Sequence, residues 1–135
     1  MVSFYKGLPD KNNYRRFRIK TVQKIDDYQM LREVVRRRYS RLKEEKLAMP
    51  DLILVDGGKQ HLLAAQEELE KLGLDLALAS IAKEEENIYI KGQAELIKLE
   101  ADTPALNLIR RVRDEAHRFA QKYHHLLRKK KIIDK

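Results

Sequence analysis

The stretch from Pro50 to Lys59 constrains the fold of this chain more than any other feature. It reads Pro-Asp-Leu-Ile-Leu-Val-Asp-Gly-Gly-Lys. A short apolar run bounded by Pro and Gly predicts a buried strand of a parallel sheet. Asp56 would lie at the carboxyl end of that strand, where open α/β sheets place their ligands, and two glycines would allow a tight turn beside it. The pattern fits a metal or phosphate site, and it fits equally well an aspartate that only starts a turn.

Composition restricts the class of protein and the type of metal site. A chain of 135 residues with 43% hydrophobic residues is long enough for one domain with its own core. No apolar run approaches the length of a membrane span, and the first residues lack the apolar segment of a signal peptide, so we expect a cytoplasmic protein. Cysteine is absent, so any bound metal would be a hard cation held by carboxylates and histidine.

Charge is distributed unevenly along the chain, whose net charge is +8. Residues 1–43 carry 13 Lys and Arg against 4 Asp and Glu, residues 44–102 carry 6 against 14, and residues 110–131 carry 9 against 2. If the two basic ends share one face, that face would attract DNA or RNA. The alternative is that these side chains are ordinary solvated surface.

The beginning of the chain predicts two paired strands. Residues 1–5 have the composition of a strand, and Lys6-Gly7 marks a turn. Residues 15–20 alternate basic and apolar side chains, which predicts a strand with one basic face. We expect these strands to pair in antiparallel fashion around a loop at residues 8–13.

A helix is predicted to follow Asp26-Asp27. Its apolar stripe has helical spacing and consists of Tyr28, Leu31, Val35, Tyr39 and Leu42. Either aspartate would serve as the N-cap, where a side-chain oxygen accepts a backbone hydrogen bond. Arg36 and Arg37 lie off this stripe and would either contact phosphate or remain solvated.

A β-α-β unit is predicted around the central stretch. The helix after Lys59 has a stripe of Leu62, Ala65, Leu69 and Leu72. Gly73 stands where a C-terminal helix cap belongs, and residues 76–82 predict the next strand. Residues 83–86 form a charged loop, and residues 87–90 and 95–99 predict a hairpin.

The last predicted helix begins at Asp102-Thr103-Pro104, with a capping residue before a proline at the first helical position. At 100° per residue, His117 falls at the edge of its apolar stripe beside Arg110 and Arg113. A single histidine on a helix is more often a packing residue than a ligand. The basic run at residues 128–131 suits a solvated or nucleic-acid-binding end.

Several of these segments together resemble the C-terminal endonuclease domain of UvrC, the nuclease subunit of the bacterial UvrABC excinuclease. The resemblance rests on residues 50–63, 102–106 and 109–123, the last including Arg-Asp-Glu-Ala-His-Arg-Phe-Ala at 113–120. Residues 14–17, 26–28 and 36–39 also match. Nearly the whole chain is covered, by several separate motifs.

The resemblance implies an RNase H-like fold, with a mixed α/β sheet flanked by helices, and metal-dependent cutting of damaged DNA on the 5′ side of the lesion. By its motifs Asp56 and His117 would be catalytic and would hold Mg²⁺ or Mn²⁺. Asp27 has a proposed catalytic role in the family, and an N-cap role is its alternative. Carboxylate-held metal ions supply an activated water and relieve charge on the phosphate.

The implied partners are double-stranded DNA carrying a lesion, UvrB and the complex loaded by UvrA, with no membrane. Basic side chains of the matching segments are the expected DNA contacts: Arg15, Arg16, Arg36, Arg37, Lys59, Arg110, Arg113 and Arg118.

The chain departs from the family pattern in three respects. A further catalytic aspartate is expected in a first strand upstream of Met1, so residues 1–135 would be an N-terminally truncated domain of impaired activity. Neither a GIY-YIG nuclease domain nor a helix-hairpin-helix pair is expected within these residues. Gln60, followed by His61, stands where the family usually has Gly after the motif lysine.

Two other functions stay open. The first is a non-catalytic basic module that binds DNA or a protein. Convergence of Asp56 and His117 in one cleft would favour the nuclease, and opposite placement would favour the module. The second is a nucleotide-binding enzyme, which is disfavoured because Gly57-Gly58-Lys59 lacks the spacing of a P-loop or a dinucleotide fingerprint.

Overall fold

The structure is a computed structural model that describes residues 1–17 and 26–133. The chain divides into two compact units. One comprises Met1–Arg18 with Leu99–Lys135, and the other is Ile19–Lys98. Each unit is described by itself.

A three-stranded mixed sheet lies in the unit Ile19–Lys98. Its strands are β3 (Ile53–Asp56), β4 (Leu78–Ile81) and β5 (Ile88–Ile90), in that order across the sheet. β3 and β4 are parallel, and β5 is antiparallel to β4. The chain between β3 and β4 forms helix α2 (Lys59–Lys71), which confirms the predicted β-α-β unit.

Helix α1 (Asp27–Glu44) begins at a side-chain cap. The Asp26 Oδ1 accepts hydrogen bonds from the backbone N–H groups of Tyr28 at 3.1 Å and Gln29 at 3.2 Å. Asp26 is therefore the N-cap, and Asp27 is the first helical residue. A negative charge at that position suits the positive end of the helix dipole.

The core of this unit joins α1 and α2 to the sheet, as their apolar stripes predict, except that Tyr28 of the α1 stripe is exposed. The buried members of the cluster are Val35, Tyr39, Leu42, Ile53, Val55, Leu62, Ala65, Leu69 and Leu78. At the end of α2 the Lys43 ammonium donates a hydrogen bond to the Leu72 carbonyl. Gly73 then adopts a left-handed φ of +71°, as expected of a C-terminal cap.

The predicted second hairpin is reduced to a single bridge. β5 pairs with β4, and Ile88 also forms an isolated antiparallel bridge with Ile97. Residues 83–85 form a turn, as their charge predicts.

In the other unit, the predicted strand partner at the N-terminus was wrong. β1 (Phe4–Tyr5) pairs with β2 (Leu8–Pro9), and residues 15–17 are not a strand. The predicted contact is limited to Met1 and Arg15, whose backbone groups exchange hydrogen bonds at 3.0 and 3.1 Å. Residues 18–20 of that prediction lie outside the described part of the chain. Lys6 and Gly7 both have positive φ, 51° and 80°. This is the requirement of a two-residue hairpin turn, which pairs the two segments that flank it directly.

Helix α3 (Pro104–Ile133) forms most of the same unit. The Thr103 Oγ1 accepts a hydrogen bond from the Leu106 N–H at 3.4 Å, and Pro104 occupies the first helical position, as predicted. Among the described residues, no helix combines the length and the apolar character needed to cross a membrane.

Candidate active site

Asp56 is the last residue of β3 and its side chain is exposed. The residue lies opposite Ile81 in the parallel pair, and the Gly57 N–H donates a hydrogen bond to the Ile81 carbonyl at 2.9 Å. The strand ladder therefore extends one residue beyond the carboxylate. The predicted position of Asp56, at the carboxyl end of a parallel strand, is confirmed.

The turn after Asp56 requires glycine at its first position. Gly57 has a φ of +153°, which side chains disfavour. A Cβ added at Gly57 would also lie 2.4 Å from the His61 Cγ. Backbone conformation and close packing thus both exclude a larger residue there.

The backbone N–H and carbonyl of Gly58 both form hydrogen bonds, with side chains and with the first turn of α2. The Gly58 N–H donates to the His61 Nδ1 at 3.3 Å. The Gly58 carbonyl accepts hydrogen bonds from the Leu62 N–H at 3.2 Å and from the Ser80 Oγ at 3.3 Å. Ser80 is fully buried on β4. The turn is therefore fastened to α2 on one side and to the neighbouring strand on the other.

Sequence reasoning did not assign these roles to His61 and Ser80. His61 is the third residue of α2, the position from which a side chain reaches back to the N-cap backbone. That spacing was a usable signal, although Glu or Gln is the usual residue there. Ser80 carried no local signal, because its partner lies 22 residues away.

The start of α1 lies beside this turn. The Tyr28 ring packs against the His61 imidazole, with ring centroids 4.5 Å apart and planes tilted by 40°. Asp27, the preceding residue, is exposed. Since Asp26 provides the side-chain cap, capping does not account for the Asp27 carboxylate.

His117 lies on α3 in the other unit. It is half-buried, as are Arg110 and Arg113, which lie seven and four residues before it. Spacings of three, four and seven residues place all three on one side of a helix. Asp56 and His117 belong to different units, so their convergence stays a prediction.

Comparison with known proteins establishes the family. The model of the UvrC RNase H endonuclease domain matches residues 1–121. The chain belongs to this family. Both the resemblance and the RNase H-like α/β class are thereby confirmed.

Curated relatives agree with this assignment. UvrABC system protein C of Methanosarcina mazei is 52% identical over 135 residues, which cover 100% of the chain and 26% of that protein. The protein of the same name from Methanococcus maripaludis is 53% identical over 133 residues, or 98% of the chain and 25% of that protein. The one from Chlorobaculum tepidum is 45% identical, over 98% of the chain and 21% of that protein. The chain thus spans about a quarter of the length of the relatives it matches.

Several of the arginines predicted as DNA contacts of this UvrC-type domain have partners within the chain, among them Arg113, whose Nε lies 3.5 Å from the Asp114 Oδ1. The Arg15 Nη1 donates to the carbonyls of Asn12 at 2.9 Å and Tyr14 at 2.7 Å. Arg16 lies over the rings of Phe119 and Tyr123, at 5.2 and 5.6 Å from their centroids. Arg37 pairs with the buried Glu33 at 3.0 Å, and Arg118 pairs with Glu115. These contacts orient the guanidinium groups and reduce their freedom to follow a DNA backbone.

Lys59 and Arg36 are exposed, as are Arg16 and Arg118. Lys59 is the first residue of α2, three positions after Asp56. Of the predicted DNA contacts, it is the one nearest in sequence to the candidate carboxylate.

Local electrostatics in the α3 unit centre on Tyr14 and Glu115. Burial, followed by the nearby Glu115 carboxylate, raises the pKa of the Tyr14 phenol. The hydrogen bond from Arg118 lowers the pKa of Glu115. Both effects favour a neutral phenol beside an ionised carboxylate at neutral pH.

An RNase H-type endonuclease domain indicates the use of divalent metal ions in general. Within residues 1–17 and 26–133, no group of three acidic or histidine side chains is placed to hold a cation. Asp56 supplies one hard oxygen donor, and a Cβ added at Gly58 would meet nothing within 4 Å. A single carboxylate suits Mg²⁺, which keeps several waters and takes further oxygen ligands from substrate phosphate. The residues present therefore fit such an ion.

Proposed function

We propose that this domain hydrolyses a phosphodiester of lesion-containing DNA on the 5′ side of the lesion, as part of a UvrABC nucleotide excision repair system. The single observation that supports this most is Asp56. It is an exposed carboxylate at the end of a parallel strand, before a turn that side chains hold in place, in a chain of an RNase H endonuclease family.

Asp56 and His117 are the proposed ligands of Mg²⁺ or Mn²⁺. When bound, such an ion supplies charge relief on the phosphate and activation of water. Asp27 is a proposed second carboxylate, because it begins the helix whose Tyr28 packs beside the turn. His117 suits proton transfer near neutral pH if it does not bind the ion.

Lys59, Arg36, Arg110 and Arg113 are the proposed phosphate contacts, and Arg15, Arg16, Arg37 and Arg118 line the DNA path through their positioned guanidinium groups. In this proposal residues 1–135 act as one endonuclease domain of a cytoplasmic protein that works with UvrB and the complex loaded by UvrA. The net charge of +8 supports attraction to a polyanion. The same charge supports the alternative, a binding module without catalysis.

Mn²⁺-dependent nicking of supercoiled plasmid DNA tests the proposal. The forms compared are this chain and a version extended upstream, each also carrying Asp56→Asn or His117→Ala. The matched control is Asp51→Asn, because Asp51 is exposed just before the same strand. We expect the extended form to nick the plasmid. Asp56→Asn and His117→Ala should each abolish that nicking, and Asp51→Asn should retain it. DNA binding without nicking by every form would favour the binding module, and nicking by Asp56→Asn would place the site elsewhere.

A further inference from the structure

We infer that His61 is a positioning residue for Asp56, acting through the backbone N–H of Gly58. This inference rests on the proposed function, since it concerns the same metal site. His61 does not touch the carboxylate in this role. It selects the conformation of the turn that follows the carboxylate.

Three contacts of the His61 ring support the inference. Its Nδ1 accepts the Gly58 N–H at 3.3 Å. Its Cγ occupies the space that a Cβ on Gly57 would need, at 2.4 Å. Its ring packs on Tyr28 at 4.5 Å between centroids. The imidazole is thus held between the start of α1 and the turn itself.

The hydrogen bond also determines the tautomer of the ring. An Nδ1 that accepts a hydrogen bond carries no proton, so the neutral imidazole has its proton on Nε2. A histidine doubly protonated at the ring would present two donors and would lose this contact.

A turn of two glycines needs such a restraint. Glycine populates many backbone conformations, so Gly57-Gly58 has little preference of its own. His61 holds the N–H of Gly58, while Ser80 and Leu62 hold its carbonyl. With both polar groups engaged, the peptide units on either side of Gly58 have one favoured orientation.

Only the Asp56–Gly57 peptide separates Asp56 from these units, so a change in the turn would alter the surroundings of its carboxylate. Groups that orient a metal ligand typically change metal affinity at least tenfold when they are removed. We therefore expect loss of the His61 acceptor to weaken cation binding at Asp56 by about tenfold.

Two substitutions separate the acceptor from the ring. His61→Phe keeps an aromatic ring beside Tyr28 and removes the acceptor. His61→Gln loses the ring and keeps an acceptor, because Gln at this helix position reaches the N-cap N–H. The probe is Mn²⁺ alone, titrated into the full 135-residue chain. The readout is paramagnetic broadening of the Gly57 and Gly58 amide NMR signals, which needs no nuclease activity.

We expect His61→Phe to need about tenfold more Mn²⁺ than the unmodified chain, and His61→Gln to stay within about threefold. Equal weakening in both variants would assign the effect to ring packing and would overturn the inference. Unchanged binding in His61→Phe would overturn it as well.

Failure of the proposed function gives a different result. If Mn²⁺ leaves the Gly57 and Gly58 signals of the unmodified chain sharp, or broadens them equally after Asp56→Asn, the metal site itself is wrong and the role of His61 falls with it. The ¹⁵N shifts of the His61 ring in the unmodified chain provide a measurement that no folding defect affects. A proton on Nδ1 would overturn the inference directly.

Discussion

The two units of this domain hold their candidate site residues by different kinds of contact. The unit Ile19–Lys98 holds the Asp56 turn over a buried core, through hydrogen bonds of 3.3 Å with a buried serine and with a half-buried histidine. In the unit that contains α3, the residues next to His117 in sequence form an ion pair between Arg118 and Glu115 and a cation–aromatic contact between Arg16 and Phe119. Among the described hydrophobic residues, the buried ones belong to the first of these units, with the exception of Leu106.

The difference has a physical origin. A carboxylate at a strand end is positioned by backbone geometry, because the sheet ladder and the turn fix its Cα. A side chain on a long helix is positioned by its neighbours on the helix surface, and exposed ion pairs there contribute little. Substitutions should therefore cost more stability around Asp56 than around His117.

The largest effect is expected for Gly57→Ala. The substitution places a side chain at a φ of +153° and a Cβ 2.4 Å from the His61 ring. Such strain with steric overlap should lower the free energy of unfolding by about 3 kcal/mol, as measured by urea denaturation.

Gly92→Ala is the matched control, because Gly92 also has a positive φ, +86°, and an added Cβ there meets nothing within 4 Å. It should cost about 1 kcal/mol. Equal losses at both positions would show that His61 does not pack tightly against the turn.

The second effect is a loss of stability at alkaline pH, caused by ionisation of Tyr39 in the core. Burial raises the pKa of Tyr39 to about 12 from its ordinary value of 10.0. The phenol therefore ionises in the unfolded chain before it ionises in the folded one. Its contribution is complete below pH 10 and is lost as the pH rises from 10 to 12, by about 2–3 kcal/mol.

Chemical denaturation at pH 9, 10.5 and 12 measures this loss when the unmodified chain is compared with Tyr39→Phe. The variant lacks the ionising group, so its stability should fall less steeply across the interval. Parallel curves would mean that Tyr39 is not the group responsible.

The third effect is expected for Ser80→Ala. Loss of the hydroxyl removes one hydrogen bond to the Gly58 carbonyl from a fully buried position. The expected cost is about 1–2 kcal/mol in thermal or urea unfolding.

Ser40→Ala is its control on α1, where the Ser40 hydroxyl donates only to the carbonyls of Arg36 and Arg37, on the preceding turn of the same helix. Alanine has the higher helix propensity, so that change should be neutral or slightly stabilising. If Ser80→Ala left the free energy of unfolding unchanged, the Ser80 hydroxyl would not be one of the two attachments of the turn.

The smallest effect is expected in the unit that contains α3. Arg16→Met keeps much of the side-chain length and removes the cation that lies over Phe119 and Tyr123. An exposed contact of this type contributes about 0.5–1 kcal/mol. A larger loss of stability in urea denaturation would contradict the contrast between the two units. The stability of Arg16→Lys should lie between that of the unmodified chain and that of Arg16→Met.

Much of the local structure could be predicted because its causes are local. Hydrophobic periodicity located α1, α2 and α3, and the capping patterns at Asp26 and Thr103 located two helix starts. The apolar run before Asp56 predicted a parallel strand that ends at the carboxylate. The Asp-Gly-Gly and Arg-Asp-Glu-Ala-His motifs predicted Asp56 and His117 as site residues through the resemblance to UvrC, and their catalytic roles stay proposals.

The partner of β1 was predicted incorrectly for a physical reason. Alternation at residues 15–17 resembles a strand, yet the Lys6-Gly7 turn pairs residues 4–5 with 8–9 first. Arg16 instead lies over aromatic rings more than 100 residues further along the chain. A period of two residues describes local backbone preference and does not specify the partner.

Local sequence was enough to predict where the strand before Asp56 ends, that Asp26 or Asp27 caps α1, and that the turn consists of glycines. The groups that hold that turn are identified by the fold alone: Ser80 from β4, His61 from α2, and Tyr28 from α1 behind the imidazole. Helix periodicity and caps arise from neighbours within about four residues, so they can be read along the chain. Ser80 and Tyr28 belong to elements that are distant in sequence from the turn and come together with it only on folding. Local sequence patterns therefore do not predict their contacts.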